Sequence, residues 1–189
     1  ANCDPHQIPE AIFMDSVSVT QILCMANEGS KVIHPRAVKA SLKTKTEIVV
    51  RNTFNEQSGT IIFHNAPDKQ YDQVVLAHRD KLCLIEIDKK IDALKIVPEL
   101  IQLDDQKYLL KKDIYMKSRI KKLQKNFGKL KKDQDWATIS VVFDKPAPEI
   151  KDIQDAEIIQ SSKNAICYLL KEVDLSASMR TLYDHYVRL

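Results

Sequence analysis

The sequence of 189 residues predicts a fold of mixed α/β and α+β class, with an α/β segment followed by two ferredoxin-like modules. Helical and strand patterns alternate up to about residue 66, as they do in an α/β domain. Beyond that point the order is roughly βαβαβ and then ββα, which is typical of small ferredoxin-like modules. The polar stretch 65–73 contains a proline and predicts a linker. We therefore expect two domains, residues 1–65 and residues 66–189.

Local signals place the elements of the first domain. Ser18 and Gln21 form a capping box, in which the serine accepts from a helix amide and the glutamine side chain reaches back. Apolar residues at helical spacing follow, and Gly29 ends this helix. The remaining predicted elements are a short buried strand or a turn at 31–33, a helix from Pro35 to about Lys43, and strands at 47–51 and 59–63.

The second domain should open with a long strand from Val74 to Asp88. Its residues Cys83, Ile85 and Ile87 form an apolar face, whereas the opposite face carries Glu86 and should partly meet water. The elements expected after it are a helix-like segment at 91–103 limited by Pro98, a strand at 108–110, a helix with the stripe Met116, Ile120, Leu123 and Phe127 that ends at Gly128, strands at 136–143, 156–160 and 164–170, and a closing helix with the stripe Met179, Leu182, Tyr183 and Tyr186.

Composition excludes several classes of function. Three glycines cannot form a complete phosphate loop or dinucleotide fingerprint, which need clustered glycines. The four cysteines are widely spaced, and Cys24, Cys83 and Cys167 lie in apolar runs, so we expect buried structural thiols in a reducing cytoplasm rather than a metal site. No apolar run reaches the length of about 18 residues that a membrane span needs, and no secretory signal is visible.

Three motifs carry a more specific signal. They are Gly29-Ser-Lys-Val-Ile-His-Pro-Arg-Ala-Val38, Val50-Arg-Asn-Thr-Phe54 followed by Gly59-Thr60, and Cys3-Asp-Pro-His6. Together they resemble aspartate kinases, whose kinase domain carries T-D-P-R and ends with G-A-K-V-L/I-H-P-R, V-R-S/N-S/T-F and a terminal G-T. The resemblance covers Cys3 to Ile62 closely and the rest of the chain more loosely.

This resemblance implies a domain assignment and an activity. Residues 1–65 would be the carboxy-terminal segment of an amino-acid kinase domain, and 66–189 a tandem ACT regulatory region that forms a homodimer. The parent enzyme would use ATP and Mg²⁺ to phosphorylate L-aspartate to 4-phospho-L-aspartate, the first step of lysine, threonine and methionine biosynthesis. The K-F/Y-G-G strand and the aspartate-binding residues are not found in this sequence, so we expect the chain alone to be inactive and to bind neither cofactor nor metal.

The resemblance also assigns residues to the nucleotide side of the kinase site, namely Asp4, His6, Lys31, Val32 and Ile33. Phosphoryl transfer depends mostly on positioning and positive charge, which makes Lys31 the natural cation. His6 stands where the family has arginine, and histidine with a pKa of about 6.5 is mostly neutral at pH 7. Without the resemblance, Lys31 would be interpreted as a solvated surface residue. We expect His34 and Arg36 to stabilise the domain rather than to contact substrate.

An amino-acid effector is implied for the ACT region, with lysine as the first candidate and threonine as the second. ACT modules usually carry D-K-P-G after their first strand, and the matching segments here begin at Asp88 and Asp144 and contain no glycine. A Cβ at a position that requires positive φ costs about 1 kcal/mol or more. The effector candidates are Asp88, Ser161 and Ser162, and a polar hairpin turn explains the two serines equally well.

Two alternatives remain open at this point. The stretch 107–133 holds ten lysines and one arginine, which could indicate a basic ferredoxin-like module that binds nucleic acid. The apolar stripe of its helix places most of these lysines on a solvent face, and few aromatic residues are interleaved for base stacking, so no nucleic-acid partner is expected. The other alternative is a stand-alone ACT regulator with a vestigial kinase segment.

Overall fold

Two β-sheets and four α-helices make up the part of the chain that the structure describes. The structure is a computed structural model, and it describes residues 1–30, 32–54, 56, 58–64, 73–87, 93–143, 150–162 and 164–188. A three-stranded sheet lies within residues 16–63 and a six-stranded sheet within residues 74–171. Within these ranges, none of the helices combines the length and the apolar character that crossing a bilayer requires.

The smaller sheet contains β1 (Ser16–Ser18), β2 (Ile48–Val50) and β3 (Thr60–Phe63) in the order β1-β3-β2. β1 runs parallel to β3, and β2 runs antiparallel to it. Two helices, α1 (Val19–Asn27) and α2 (Pro35–Thr44), connect β1 to β2. They cover one face of this sheet, where Ile22 and Val38 pack with the fully buried Ile62.

Helices α1 and α2 begin where the sequence predicts. The side-chain contact predicted for Gln21 is replaced by a different one. The Gln21 N–H donates to Ser18 Oγ at 3.1 Å, which confirms the cap of α1. The Gln21 side chain does not reach back, since its Nε2 donates to the carbonyl oxygen of Gln73 at 2.8 Å. His34 has a structural role, as expected, because its Nδ1 accepts from the Arg36 N–H at 3.2 Å and caps α2.

The larger sheet is antiparallel throughout and has the strand order β5-β6-β4-β7-β9-β8. Its strands are β4 (Val74–Glu86), β5 (Ile101–Gln102), β6 (Lys107–Lys111), β7 (Lys131–Phe143), β8 (Ala156–Ser162) and β9 (Ala165–Lys171). β4 and β7 are both 13 residues long and pair along their whole length, with irregular register between Arg79 and Leu84. This pair joins the two modules.

Helices α3 (Met116–Phe127) and α4 (Leu175–Tyr186) pack on the same face of the larger sheet. Leu123 of α3 packs with Cys83 and Ile85 of β4, which confirms the predicted apolar face. Met179 of α4 packs with Ile139 of β7. The other face carries Val75 and Val142, which belong to the same core as α1 and α2, so the two sheets share a hydrophobic core.

Two predicted elements of the second domain differ in the structure. The segment predicted as helix-like at 91–103 contains, in its described part, a 3₁₀ turn at Ala93–Lys95 and then β5. Pro98 lacks an N–H and disfavours helical geometry in the preceding residue, so the apolar Val97 and Leu100 pack into the core from an irregular segment. β7 begins at Lys131, five residues before the predicted start, because the polar residues 131–135 pair with the end of β4.

The cysteines behave as structural thiols. All four are free, and Cys3, Cys83 and Cys167 are buried while Cys24 is half-buried. Burial raises the pKa of the Cys3 thiol to about 12 and that of Cys167 to about 11. These side chains therefore stay protonated at neutral pH and pack as small apolar groups.

The amino-terminal residues pack against α4 of the second domain. Ile8 lies in the α4 core, and Gln7 Oε1 accepts a hydrogen bond from Ser176 Oγ at 2.8 Å. The carboxylate of Glu10 binds the guanidinium groups of Arg180 and Arg188. The first residues thus contact α4 directly, while the predicted boundary near residue 65 stays a prediction because 65–72 lie outside the described residues.

We predict that this contact weakens as the pH falls. The hydrogen bond from Arg180 lowers the pKa of Glu10 to about 2, so the native state favours the charged carboxylate. Its stabilisation is complete above the ordinary pKa of a glutamate, about 4.3, and is lost as the pH falls towards 2. The difference in unfolding free energy between the wild type and Glu10→Gln should therefore shrink over this interval in urea titrations. Glu157→Gln, on the exposed side of β8, serves as the control and should show no such trend. A Glu10→Gln difference that does not change with pH contradicts the prediction.

Candidate functional site

Asp4 shapes a tight turn at the start of the chain. Its Oδ1 accepts from the His6 N–H at 3.0 Å, and its carbonyl oxygen accepts from the N–H groups of Gln7 and Ile8, both at 3.0 Å. Its Oδ2 lies 3.9 Å from Nε2 of His78 on β4. His6 itself is exposed. The carboxylate therefore organises the local backbone of this turn.

The segment after α1 is the other part of the predicted nucleotide side. Lys31 lies outside the described residues, as does Asp88 among the effector candidates. Val32 and Ile33 form a bend, so the prediction of a turn holds for them and the prediction of a buried strand is wrong. Val32 is 57% exposed, whereas Ile33 packs against the α1–α2 core. The apolar side chain of Val32 is thus available for contact.

A polar cluster fixes the end of α1 on the larger sheet. We call Glu28, Arg79 and Ser140 the Glu28 cluster. Glu28 Oε2 accepts from Ser140 Oγ at 2.7 Å and from Arg79 Nη1 at 3.4 Å. Arg79 Nη2 also donates to the carbonyl oxygen of Asn27. Ser140 is fully buried, so loss of Glu28 would leave a buried hydroxyl without its acceptor.

Gly29 follows this cluster and touches the sheet without a side chain. Its φ is +108°, and a Cβ built on it would lie 2.5 Å from Arg79 Cγ and 2.8 Å from the carbonyl oxygen of His78. The glycine predicted as the helix stop is therefore also required for close approach of the chain to β4. Gly29 and the Glu28 cluster therefore fix the position of the chain just before the predicted nucleotide segment.

Sequence reasoning missed the Glu28 cluster because its members are distant in the chain. Glu28 and Ser140 are separated by 112 positions. The available signal was a polar residue within each apolar strand, Arg79 in β4 and Ser140 in β7. A polar residue in a buried strand needs a hydrogen-bond partner, although the pattern does not say which residue provides it.

Two of the predicted effector residues, Ser161 and Ser162, lie on the β8–β9 hairpin, and Ser162 has a structural role in its turn. Ser162 Oγ accepts from the Ala165 N–H at 3.1 Å and donates to the Ala165 carbonyl oxygen at 3.3 Å. These bonds belong to the turn and agree with the simpler explanation. Ser161 is exposed on β8. The segment 144–147, which begins with Asp144, lies outside the described residues.

The basic stretch forms a solvated helix face. Leu123 and Phe127 of α3 are buried, while Lys117, Lys121 and Lys125 are exposed, as the apolar stripe predicts. The aromatic ring exposed beside this helix, Tyr115, lies under the guanidinium of Arg119, with 5.5 Å between Cζ and the ring centroid.

No family model matches the chain. A stretch of 59 residues is 37% identical to aspartokinase 1 of Bacillus subtilis and covers 31% of this chain and 15% of that enzyme. A stretch of the same length and coverage is 39% identical to the aspartokinase of Thermus thermophilus. The resemblance to aspartokinases is confirmed. The matched segment spans less than a fifth of these aspartokinases.

The predicted fold is confirmed as well. E. coli aspartokinase III, in its crystal structure with lysine and aspartate, has a TM-score of 0.72 to this chain at 14% identity. The superposition covers 98% of this chain and 49% of aspartokinase III. The chain therefore spans about half the length of that enzyme and has the same mixed α/β fold over that part.

We predict that Gly29 is more sensitive to substitution than Gly128. Gly128 also has positive φ, +81°, but a Cβ there would meet nothing within 4 Å. Gly128→Ala should cost about 1–3 kcal/mol from backbone strain alone, and Gly29→Ala a further ~1–3 kcal/mol from overlap with Arg79 and His78. Thermal and chemical unfolding measure both values. Equal destabilisation by the two substitutions would show that α1 does not approach β4 this closely.

Proposed function

We propose that this chain is the regulatory, carboxy-terminal part of an aspartokinase. Residues 1–65 would complete the kinase domain and residues 66–189 would form its tandem ACT region. The observation that carries the proposal is the combination of a 37–39% identical segment with likeness in fold to aspartokinase III over nearly the whole chain. A basic nucleic-acid-binding module is less well supported, because the lysines of α3 form an ordinary solvated face.

The parent enzyme would transfer the γ-phosphoryl group of ATP, bound with Mg²⁺, to the β-carboxylate of aspartate. In this proposal Lys31 supplies positive charge on the nucleotide side, and Val32 and Ile33 line the nucleotide pocket. Asp4 would hold the turn that carries His6 near the same ligand. Phosphoryl transfer needs positioning and charge more than covalent chemistry from the protein, and these residues are suited to that task. The chain alone lacks the aspartate-binding motifs of the family and would be inactive.

An exposed apolar face on the smaller sheet supports a larger kinase domain. Val49 of β2 pairs with Ile61 of β3, and the two are 51% and 45% exposed. They lie on the face opposite Ile62, which packs against the helices. Exposed apolar residues that adjoin one another on a sheet face form a surface on which another part of a protein can pack. We propose that the remainder of the kinase domain packs on this face.

The Glu28 cluster supports regulation of the kinase segment by the ACT region. Glu28 belongs to the helix that leads into Gly29 and Lys31, while Arg79 and Ser140 belong to the two long strands of the regulatory sheet. A shift of those strands would therefore move the start of the nucleotide segment. The partners we propose are a second copy of the chain, through the ACT modules, and an amino-acid effector. Lysine is the first candidate, in keeping with the lysine bound in the aspartokinase III structure, and threonine is the second.

A chimaeric enzyme tests this proposal. The matching region of Bacillus subtilis aspartokinase 1 is replaced with this chain, and aspartate-dependent ADP formation is measured with Mg-ATP. We expect activity, and we expect Lys31→Ala to lower kcat/KM for ATP about 100-fold because a charge facing the phosphates is lost. Lys39→Ala, on the exposed side of α2, is the matched control and should leave activity unchanged.

The outcomes separate the alternatives. A folded, dimeric chimaera without activity contradicts the kinase role of residues 1–65. If the isolated chain then still binds lysine or threonine in calorimetry, it is a stand-alone ACT regulator. Equal activity of the Lys31→Ala and Lys39→Ala variants contradicts the role given to Lys31.

A further inference from the structure

Two adjacent residues of β4, His78 and Arg79, contact the amino-terminal turn and the end of α1, which carry or precede the residues predicted on the nucleotide side. Nε2 of His78 lies 3.9 Å from Oδ2 of Asp4, which shapes the amino-terminal turn. Arg79 donates to Glu28 Oε2 at 3.4 Å and to the carbonyl oxygen of the preceding residue, at the carboxy-terminal end of α1. Two regions that are distant in the sequence therefore meet at one point of the larger sheet.

The same edge of β4 also lies against both of these regions. Leu76 N–H donates to the carbonyl oxygen of Asn2 at 2.9 Å, and a Cβ on Gly29 would lie 2.8 Å from the carbonyl oxygen of His78. Residues two apart in an antiparallel strand present their backbone groups to the same edge. Neighbouring side chains point to opposite faces, so His78 and Arg79 reach the two regions from opposite sides of the sheet. One short stretch of β4 therefore sets the distance between the amino-terminal turn and the end of α1.

Hydrogen bonds rather than dense packing hold the Arg79 side chain in place. A cavity of about 340 Å³ lies beside it and is also lined by Gly29 and, on α3, by Arg119. The guanidinium of Arg79 is held by the carboxylate of Glu28, which in turn accepts from the buried Ser140 Oγ at 2.7 Å. Loss of the guanidinium would therefore release the end of α1 without disturbing a tightly packed core.

We propose that Arg79 and His78 are positioning residues for nucleotide binding, which fix the Asp4 turn and the end of α1 relative to each other. They touch neither ATP nor aspartate and act only through the two regions that they hold. Two regions that bind one nucleotide need a fixed distance between them, and a strand that contacts both supplies it. The inference rests on the proposed function in placing both regions beside the nucleotide, and it goes beyond that function in assigning a role to residues of the larger sheet.

The chimaera with Bacillus subtilis aspartokinase 1 tests this role through Arg79→Met, which removes the guanidinium and keeps an unbranched side chain. We expect KM for ATP, and Kd of the non-hydrolysable analogue AMP-PNP with Mg²⁺, to rise about tenfold, because misplacing a positioned group by about 1 Å can cost about 100-fold. The values of kcat and of KM for aspartate should change less than about twofold, since only nucleotide binding is affected. His78→Leu should act in the same direction but more weakly, because its contact with Asp4 is longer.

A matched control and a double variant sharpen the test. Arg119→Met removes the guanidinium on another wall of the same cavity, whose ion pairs are with Asp113 and Glu99, and should leave KM for ATP and Kd of AMP-PNP unchanged. Because Arg79 acts through Glu28, combining Arg79→Met with Glu28→Gln should raise Kd no more than the stronger of the two single substitutions does. Thermal unfolding verifies that every variant is folded.

The outcomes separate this role from the proposed function. An active chimaera in which Arg79→Met and Arg119→Met have the same KM for ATP overturns the positioning role and leaves the proposed function intact. A fall in kcat with KM for ATP unchanged overturns it as well, since that pattern indicates loss of active enzyme rather than weaker nucleotide binding. If Arg79→Met does not fold, Arg79→Lys decides, because it keeps the charge but not both hydrogen bonds, and an unchanged KM for ATP then contradicts the role. A folded, dimeric chimaera that neither turns over ATP nor binds AMP-PNP contradicts the proposed function itself, and this role with it.

Discussion

The antiparallel pairing of β4 with β7 is the constraint on which the rest of the structure depends. Both strands run through the two modules, and each module contributes one helix to the same face of the shared ladder. The apolar residues beneath α4 and those beneath α3 therefore lie on one continuous sheet rather than on two separate sheets. Because the strands are continuous, one ladder of backbone hydrogen bonds connects the two modules.

The irregular register in the middle of this ladder has a structural role. Between Arg79 and Leu82 the two strands do not pair residue by residue, and Lys81 has a positive φ of 55°. A bulge of this type redirects side chains and interrupts pairing. Here it coincides with the point where Arg79 reaches the end of α1 and where the cavity opens. The contact between the end of α1 and the larger sheet thus lies at an irregular point of the long strands.

Local signals predicted the elements well where one residue controls one element. Ser18 and Gly29 mark the ends of α1, Pro35 begins α2, and Gly128 ends α3, since capping and backbone conformation act over a few residues. The segment 91–103 was predicted incorrectly because its apolar spacing resembles a helix, although Pro98 does not support one. The early start of β7 was missed because polar residues can pair in a strand whenever the partner strand extends far enough.

The candidate site was harder to predict from the sequence, for a different reason. Motifs pointed to Asp4 and Lys31, whereas the groups that connect this region to the second domain, Glu28 and Ser140, meet only after folding. For Val32 the sequence left a buried strand or a turn open, and the residue lies in a bend and is largely exposed, since burial at the edge of a fold depends on what packs there. The buried thiols and the solvated face of α3 followed directly from the sequence, because each depends on one repeating pattern.

The two edge strands of the larger sheet, β5 and β8, differ greatly in the length of edge that they offer to an additional strand. β5 pairs with its neighbour through two residues, whereas β8 is a seven-residue strand whose side chains are mostly exposed. A free strand edge presents unpaired N–H and C=O groups to any additional strand, and a longer edge fixes the register of such an addition more firmly. Among the described strands, β8 would therefore be the better template for a strand added by another polypeptide.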